Sequence, residues 1–202
     1  MDEVMKDLRS DFTDSLVHFT RERMGDLLQA DGVNEDKPSF SSLEVLCQIL
    51  ELGKILGSNN KGFVKGADTA VCFTECPLSA VKLFASTPKE KKAKYRFYGS
   101  AISKKAAFEK GARPVIYLPD EEGDWIPTGE KWRHVRFEYG SVDWTFEREW
   151  RKKGDLELKG LPGFYILHWC PTEKKALEQS LHNDIRKKVR GYLPMKHLNQ
   201  ML

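Results

Sequence analysis

Apolar side chains recur at helical spacing in the stretch between Ser41 and Gly53. The positions that repeat with this period are Leu43, Leu46, Cys47 and Leu50. Ser41 and Glu44 stand at the spacing of a capping box, in which each residue binds the backbone N–H of the other. The pattern therefore predicts a helix over residues 42–52 that stops at Gly53.

Short runs rich in β-branched and aromatic residues predict strands elsewhere in the chain. The runs cover residues 15–20, 70–74, 96–99, 113–118 and 164–170. Residues 135–139 alternate between apolar and polar side chains, the pattern of a half-buried strand. Pro77 predicts a second helix through Phe84, and an apolar stripe predicts a closing helix over residues 173–190. This order, with strands dominating later, favours an α+β fold over a doubly wound parallel sheet.

The polar stretches and the start of the chain carry no membrane or secretion signal. Residues 1–11 are charged and predict a short amphipathic helix or a loose arm, without the apolar stretch of a signal peptide. Residues 25–40 hold Gly, Asp, Asn and Pro and predict a loop. No apolar run approaches the roughly 18 residues of a membrane helix. The sequence therefore predicts a protein that does not enter the membrane.

Composition favours one folded domain in a reducing compartment. The chain has 202 residues, of which 40% are hydrophobic and 11% aromatic, enough for a substantial core. Its net charge of +3 permits contact with a polyanion without arguing for it. The four cysteines include one close pair, Cys72 and Cys76, with no second pair or nearby histidine to complete a zinc site. We therefore expect reduced thiols and a cytoplasmic protein.

The segment from Asp143 to Arg151 carries the densest cluster of candidate chemistry. If the segment is extended, alternation places Thr145, Glu147, Glu149 and Arg151 on one face. Two carboxylates beside a guanidinium form a polar site of the kind that enzymes use for acid–base or electrostatic work. The same residues also suit a solvated strand face, or an exposed helix with a Glu147–Arg151 pair at i,i+4.

Two other segments place polar groups within apolar surroundings. His18 lies inside the apolar run from Leu16 to Thr20, where a histidine either contacts a ligand or is a hydrogen-bonded core group. The run from Val71 to Pro77 passes from a strand into a helix, and amide groups at a helix start can hold an anionic ligand. That corner also suits an ordinary connection between a strand and a helix.

Taken in chain order, these segments resemble bacterial ADP-ribosyltransferase-like proteins of defence and toxin systems. The resemblance is to the AbiGi-type abortive phage resistance family, and more distantly to the DarT DNA ADP-ribosyltransferases. It is carried by the segments LVHFT, LEVLCQILELGKILGS, VCFTECPLSAV, YRFYGSAISKKAAFEKGARPVIYL, WRHVRFEY and FEREWR. The order and spacing of these pieces extend from residue 16 to about residue 151.

The resemblance implies an α+β fold with a split β core of two packed antiparallel sheets and flanking helices. It implies one domain over residues 1–202, with its core over about residues 12–170 and a C-terminal helix over about residues 173–190. It also implies NAD⁺ as a substrate, with no metal. The sequence contains neither a G-x-G-x-x-G nor a G-x-x-x-x-G-K-[ST] motif, which disfavours hydride transfer on a Rossmann fold.

The resemblance assigns NAD⁺-binding positions to two core strands and to one further aromatic. His18 matches a first-strand position that binds the ADP-ribose part. Phe73 and Tyr98 both match the aromatic position that stacks on nicotinamide. The full set implied for NAD⁺ binding is His18, Phe19, Thr20, Phe73, Thr74 and Tyr98.

Glu149 matches the catalytic glutamate of the family, and Glu147 completes a Glu-x-Glu arrangement with it. Cleavage of the nicotinamide–ribose bond builds oxocarbenium character on the ribose, as in glycoside hydrolysis. A carboxylate beside that carbon stabilises charge that exists mainly in the transition state. The stretch from Thr74 to Pro77 lacks the basic residue that some relatives carry there, which argues against DNA-base specificity of the DarT kind.

Three functions are consistent with these observations. With the resemblance, the first is a cytoplasmic NAD⁺-dependent ADP-ribosyltransferase, a glycosyltransferase of an antiviral defence or toxin–antitoxin system. It implies a protein or nucleic acid as acceptor and a cognate toxin or antitoxin as partner. The second is a catalytically inactive binding or antitoxin module on the same fold. The third is a nucleic-acid-binding or processing domain that uses the basic runs at residues 89–92 and 186–188, which also suit a solvated surface.

Overall fold

The computed structural model of the chain describes residues 13–24, 39–60, 63–81, 85–86 and 95–196. The arm expected over residues 1–11, most of the loop expected over residues 25–40 and the basic run at residues 89–92 lie outside the described residues. The strands are β1 (Ser15–Phe19), β2 (Arg23–Met24), β3 (Ser39–Phe40), β4 (Lys54–Ile55), β5 (Ala70–Thr74), β6 (Ala85–Ser86), β7 (Tyr95–Arg96), β8 (Gly99–Ser103), β9 (Ala112–Pro114), β10 (Ile116–Leu118), β11 (His134–Arg136), β12 (Glu149–Lys153), β13 (Leu156–Glu157), β14 (Phe164–His168) and β15 (Val189–Pro194). The α-helices are α1 (Ser42–Leu52), α2 (Leu78–Val81), α3 (Lys104–Glu109), α4 (Lys174–Gln179) and α5 (Asn183–Arg186). No helix within these ranges is long and apolar enough to cross a membrane.

Seven strands form one mixed sheet in the order β15–β14–β8–β1–β5–β12–β9. Neighbouring strands are antiparallel, except that β14 and β15 are parallel. The other described strands pair in twos, as β10–β11, β13–β4, β2–β3 and β6–β7. The fold is therefore mixed α+β, as the sequence predicts, with a large sheet and few helices. In place of the two packed antiparallel sheets that we expected, the described residues form one seven-stranded mixed sheet and four two-stranded pairs.

The junction between β1 and β5, near the middle of the sheet, is sparsely paired. β1 pairs with β8 from its first residue to its last. Its pairing with β5 is reduced to Val17 opposite Thr74. Beyond that pair the chain follows β8, and the Thr20 N–H donates to the Tyr98 carbonyl at 2.8 Å. β1 and β5 therefore diverge toward Thr20, and the sheet opens there.

Two apolar clusters hold the sheet, one on each face. The first cluster packs residues of α1 and α4 against the sheet. Its buried members include Leu16, Leu46, Leu50, Phe73, Ile102, Ile166 and Leu177. The buried members of the second cluster are Val17, Phe19, Val81, Phe97, Ala101, Leu167 and Met195. Alternation along β1 sends Leu16 and Val17 to opposite clusters, so this strand is buried on both sides. Removal of this apolar surface from water is the main term that stabilises the sheet.

α1 begins and ends as its sequence pattern predicts. The Glu44 N–H donates to Ser41 Oγ at 3.3 Å, and the Ser41 N–H donates to Glu44 Oε2 at 2.7 Å, which completes the capping box. Gly53 ends the helix with φ of 66°, a left-handed conformation that glycine adopts without steric cost. These local signals fix the helix that covers the opening between β1 and β5.

The predicted closing helix over residues 173–190 is wrong. The structure has two short helices there, α4 and α5, and then the strand β15. The His182 ring starts α5, because its Nδ1 accepts the Asp184 N–H at 3.2 Å. Val189 then begins a strand that pairs in parallel with β14, starting opposite Phe164. An apolar stripe with helical spacing does not exclude a break between two short helices.

The strand predicted over residues 113–118 is two strands that go separate ways. β9 ends at Pro114 and stays in the main sheet beside β12. β10 begins at Ile116 and pairs in parallel with β11, forming what we call the β10–β11 ribbon. The chain therefore leaves the main sheet beside the start of β12, at Glu149.

Candidate functional site

A cavity opens where β1 and β5 diverge. Its empty space, including the open mouth, amounts to about 1140 Å³. Residues of β1, α1, β4, β5 and β12 contribute to its lining. The ionisable residues in the lining are His18, Arg21, Lys54, Cys72, Glu147, Glu149 and Arg151.

His18 lies on the β1 side of this cavity. Its ring is half-buried, and Nδ1 lies 2.8 Å from the Cys72 carbonyl oxygen of β5. Because a carbonyl oxygen only accepts hydrogen bonds, Nδ1 carries a proton, and Nε2 of the neutral ring is an acceptor. The ring also meets Phe73 edge-on, with centroids 6.0 Å apart. The imidazole thus joins β1 to β5 beyond Val17 and Thr74, the one pair that the two strands have in register. His18 also belongs to the cavity lining.

Glu149 and Arg151 form a buried ion pair on the β12 side of the cavity. Arg151 Nε lies 2.8 Å from Glu149 Oε1, and Nη2 lies 3.4 Å from Oε2. The Arg151 side chain is 1% exposed and the Glu149 side chain 11%. The guanidinium also donates to the backbone carbonyls of Phe63, Trp132 and His134. The Arg151 guanidinium therefore fixes the position of the Glu149 carboxylate in the cavity wall.

The Arg151 guanidinium keeps its charge despite its burial. Burial by itself would lower the pKa of the Arg151 guanidinium, but Glu149 and then Cys72 raise that pKa above its ordinary value. Register places Glu149 opposite Thr74 and Arg151 opposite Cys72, so all four side chains share one face of the sheet. This geometry contradicts both the solvated strand face and the exposed helix that the sequence left open.

Glu147 reaches the cavity from a turn rather than from a strand. The Asp143 side chain accepts the Thr145 N–H at 2.8 Å and starts a 3-10 turn that ends at Glu147. Arg148 follows with φ of 46°, the one non-glycine residue of the described chain with positive φ. β12 begins at Glu149, so the strand face that we expected the two glutamates to share is wrong. Both glutamates nevertheless belong to the cavity lining, and Glu147 is only 3% exposed.

The other residues expected to bind NAD⁺ divide into those that line the cavity and one that does not. Phe19, Thr20, Phe73 and Thr74 all belong to the lining. Tyr98 is not among the described lining residues, which corrects the expectation that it faces a ligand there. Its phenol is committed elsewhere, because the hydroxyl donates to Glu173 at 2.8 Å and the ring packs in the core. Of these two aromatic residues, Phe73 is the one that belongs to the lining.

Several lining residues were not identified from the sequence. Phe63, Arg21 and Lys54 line the cavity from segments outside the predicted strands. Their positions depend on how loops pack, so no periodic pattern marks them. Cys72 is different, because it lies two residues before Thr74 on β5 and therefore shares its face of the sheet. From the sequence we considered Cys72 only as a possible zinc ligand and as a reduced thiol.

Comparisons with protein-family models, with curated proteins and with solved structures found no match to this chain. In the part of the chain that the structure describes, no group of three or more His, Cys, Asp or Glu side chains is arranged to hold a metal ion. All four cysteines lie in that part, and none forms a disulfide.

Proposed function

We propose that the chain is an NAD⁺-dependent ADP-ribosyltransferase-like protein that cleaves the nicotinamide–ribose bond and passes ADP-ribose to an acceptor. The observation that carries the proposal is the cavity between β1 and β5, whose lining includes both His18 and Glu149. These are the positions that the resemblance assigns to ligand binding and to catalysis. A cytoplasmic role in bacterial defence or in a toxin–antitoxin pair belongs to the same proposal and is supported by the resemblance alone.

The lining suits the separate parts of a dinucleotide. Phe19 and Phe73 both belong to the lining and add apolar surface of the kind that accepts nicotinamide. Arg21 and Lys54 add positive charge that suits a pyrophosphate. Nε2 of His18 can accept a hydrogen bond from a ribose hydroxyl, because Nδ1 is the protonated nitrogen.

The proposed reaction breaks the bond between ribose C1′ and the nicotinamide ring nitrogen. The electron pair of that bond leaves with nicotinamide, and positive charge spreads over C1′ and the ribose ring oxygen. The Glu149 carboxylate, held in place by Arg151, stabilises this charge without having to reorganise. The nucleophilic atom of the acceptor then bonds to C1′ and loses its proton, which Glu147 is suited to receive.

Nicotinamide release from NAD⁺ by the purified full chain tests the proposal. Glu149→Gln keeps the size of the side chain and an oxygen for Arg151 but removes the negative charge. Release should therefore fall about 10²–10³-fold while NAD⁺ binding is retained. Glu157→Gln is the matched control, because Glu157 on β13 is exposed and is not among the described lining residues.

The mass of the products formed with cell extract reports transfer separately from hydrolysis. Glu147→Gln should reduce acceptor labelling more than simple hydrolysis, because its proposed role is on the acceptor side. Wild-type rates of release from Glu149→Gln would overturn the proposal. NAD⁺ binding without any release by the wild type would favour the inactive binding module instead.

A further inference from the structure

The turn that carries the two glutamates is held by Tyr117, a tyrosine outside the described cavity lining. Tyr117 of β10 is not among the described lining residues. Its Oη accepts the Glu149 N–H at 2.9 Å and donates to the Trp144 carbonyl at 3.3 Å. One phenol therefore joins the first and last residues of the segment 144–149.

This contact stands in for a strand partner. The Glu149 carbonyl accepts the Val115 N–H at 3.1 Å, so this carbonyl faces the side of β9. In a strand the N–H of a residue projects from the same side as its carbonyl. β9 ends at Pro114 and the chain turns away into β10, where the Tyr117 hydroxyl meets the Glu149 N–H.

We propose that Tyr117 is a positioning residue, whose hydroxyl sets the place of Glu149 and Glu147 relative to the bound substrate. The inference rests on the proposed function, because it gives Tyr117 a role in a reaction that uses those carboxylates. Burial raises the pKa of the Tyr117 phenol above its ordinary value, so the hydroxyl keeps its proton and can donate to Trp144 near neutral pH.

The turn needs restraint because its backbone is in an unfavourable conformation. Arg148 has φ of 46° and ψ of 52°, a left-handed region that residues with side chains rarely occupy. Thr74 Oγ1 donates to the Glu147 carbonyl, and the Glu75 N–H donates to the Arg148 carbonyl at 3.2 Å. These two bonds hold the middle of the turn, and Tyr117 holds both of its ends.

The same β10–β11 ribbon also holds the counter-ion of Glu149. Tyr117 lies opposite Val135 in the ribbon, and the neighbouring His134 carbonyl accepts a hydrogen bond from Arg151 at 3.3 Å. The ribbon thus supports Glu149 in two ways. The Tyr117 hydroxyl accepts the Glu149 backbone N–H, and the His134 carbonyl accepts a hydrogen bond from Arg151, which pairs with the Glu149 carboxylate. A displacement of a catalytic group by about 1 Å can cost on the order of 10²-fold in rate, so this support matters for turnover.

Tyr117→Phe in the full chain removes the hydroxyl and keeps the ring. We expect kcat for nicotinamide release to fall roughly 10- to 100-fold, with KM for NAD⁺ within about twofold, because the substrate contacts remain. Amide hydrogen exchange over residues 144–149 should become faster, while exchange in β14 stays unchanged. Tyr165→Phe is the matched control, because Tyr165 is an exposed tyrosine of β14, and both measurements should match the wild type.

Each outcome separates this inference from the proposed function. Unchanged exchange over residues 144–149 in Tyr117→Phe would overturn the inference, whatever the activity. Faster exchange with wild-type kcat would also overturn it, and the proposed function would stand if Glu149→Gln still abolished release. No release by the wild type would overturn the proposed function and the positioning role of Tyr117 together, while exchange would still report whether the hydroxyl holds the turn.

Discussion

A charged side chain that is almost wholly buried needs a partner for each of its donors. Arg151 meets this requirement with the Glu149 carboxylate and with the carbonyls of Phe63, Trp132 and His134. These partners come from three separate segments of the chain. The charge that orients the candidate catalytic carboxylate therefore also fastens the cavity wall at Phe63 to the β10–β11 ribbon.

Arg151→Met should destabilise the chain by about 3–5 kcal/mol, because it leaves the Glu149 carboxylate buried without its counter-ion. Glu149→Gln should cost less, since the guanidinium keeps its three carbonyl acceptors and the Gln oxygen. The double variant should recover part of the Arg151→Met loss, because the unpaired carboxylate is then gone. Urea denaturation measures these differences when the slope of the unfolding free energy against urea concentration is the same for all variants.

Arg136→Met is the control for the loss of an arginine, because Arg136 is exposed and pairs with Glu138 at the surface. Its denaturation midpoint should stay close to that of the wild type. If Arg151→Met behaved like Arg136→Met, Arg151 would not be the anchor of Glu149.

The elements that frame the cavity follow from local sequence to different degrees. The run of residues 70–74 predicts β5 with the bounds that the structure has, and Ser41 predicts the start of α1. Both signals are local, one a run of β-branched and aromatic residues and the other a cap. The segment before β12 is less predictable, because the Asp143 side chain competes for the Thr145 N–H and starts a turn in place of a strand.

Gly99 allows β8 to lie directly against β1 beside the cavity. A Cβ at this position would overlap the His18 carbonyl oxygen, a backbone atom that cannot swing aside. Gly99→Ala should therefore cost about 1–3 kcal/mol or more, because the two strands must separate. Gly129→Ala is the control, since nothing lies within 4 Å of its added carbon. Equal thermal midpoints for the two variants would contradict the close packing of β1 against β8.

Over the whole molecule, the cavity is a consequence of strand order. β5 lies between β1 and β12 in the sheet, although long stretches of chain separate these strands in sequence. Periodicity along each strand indicates which side chains share a face but not which strands are neighbours. The resemblance implies that His18 and Glu149 serve one NAD⁺ site, and the strand order brings both residues to one cavity. The parallel β14–β15 pair was likewise not predictable, because the stripe through Leu177 and Ile185 suits one long helix as well as two short ones.

A ligand in this cavity contacts β1, α1, β5 and β12 together, so its binding should stabilise the fold as a whole. At 100 times its Kd, NAD⁺ should add about 2.7 kcal/mol to the free energy of unfolding, or about 5–10 °C in Tm for a chain of this length. Thermal scans with NAD⁺ and with ADP-ribose measure the shift. No shift at millimolar concentrations of either ligand would contradict the assignment of the cavity as an NAD⁺ site.

Two variants of His18 separate its contact with the protein from its contact with the ligand. The amide of His18→Asn can take the place of Nδ1 and donate to the Cys72 carbonyl, but it lacks the Nε2 acceptor. Its ligand-free Tm should therefore stay near the wild-type value, while the NAD⁺-induced shift becomes smaller. His18→Ala should lower the ligand-free Tm as well, because the bond to the Cys72 carbonyl is lost, at a cost of about 1–3 kcal/mol. A full NAD⁺ shift in both variants would exclude His18 from the ligand site and leave it as a group that only joins β1 to β5.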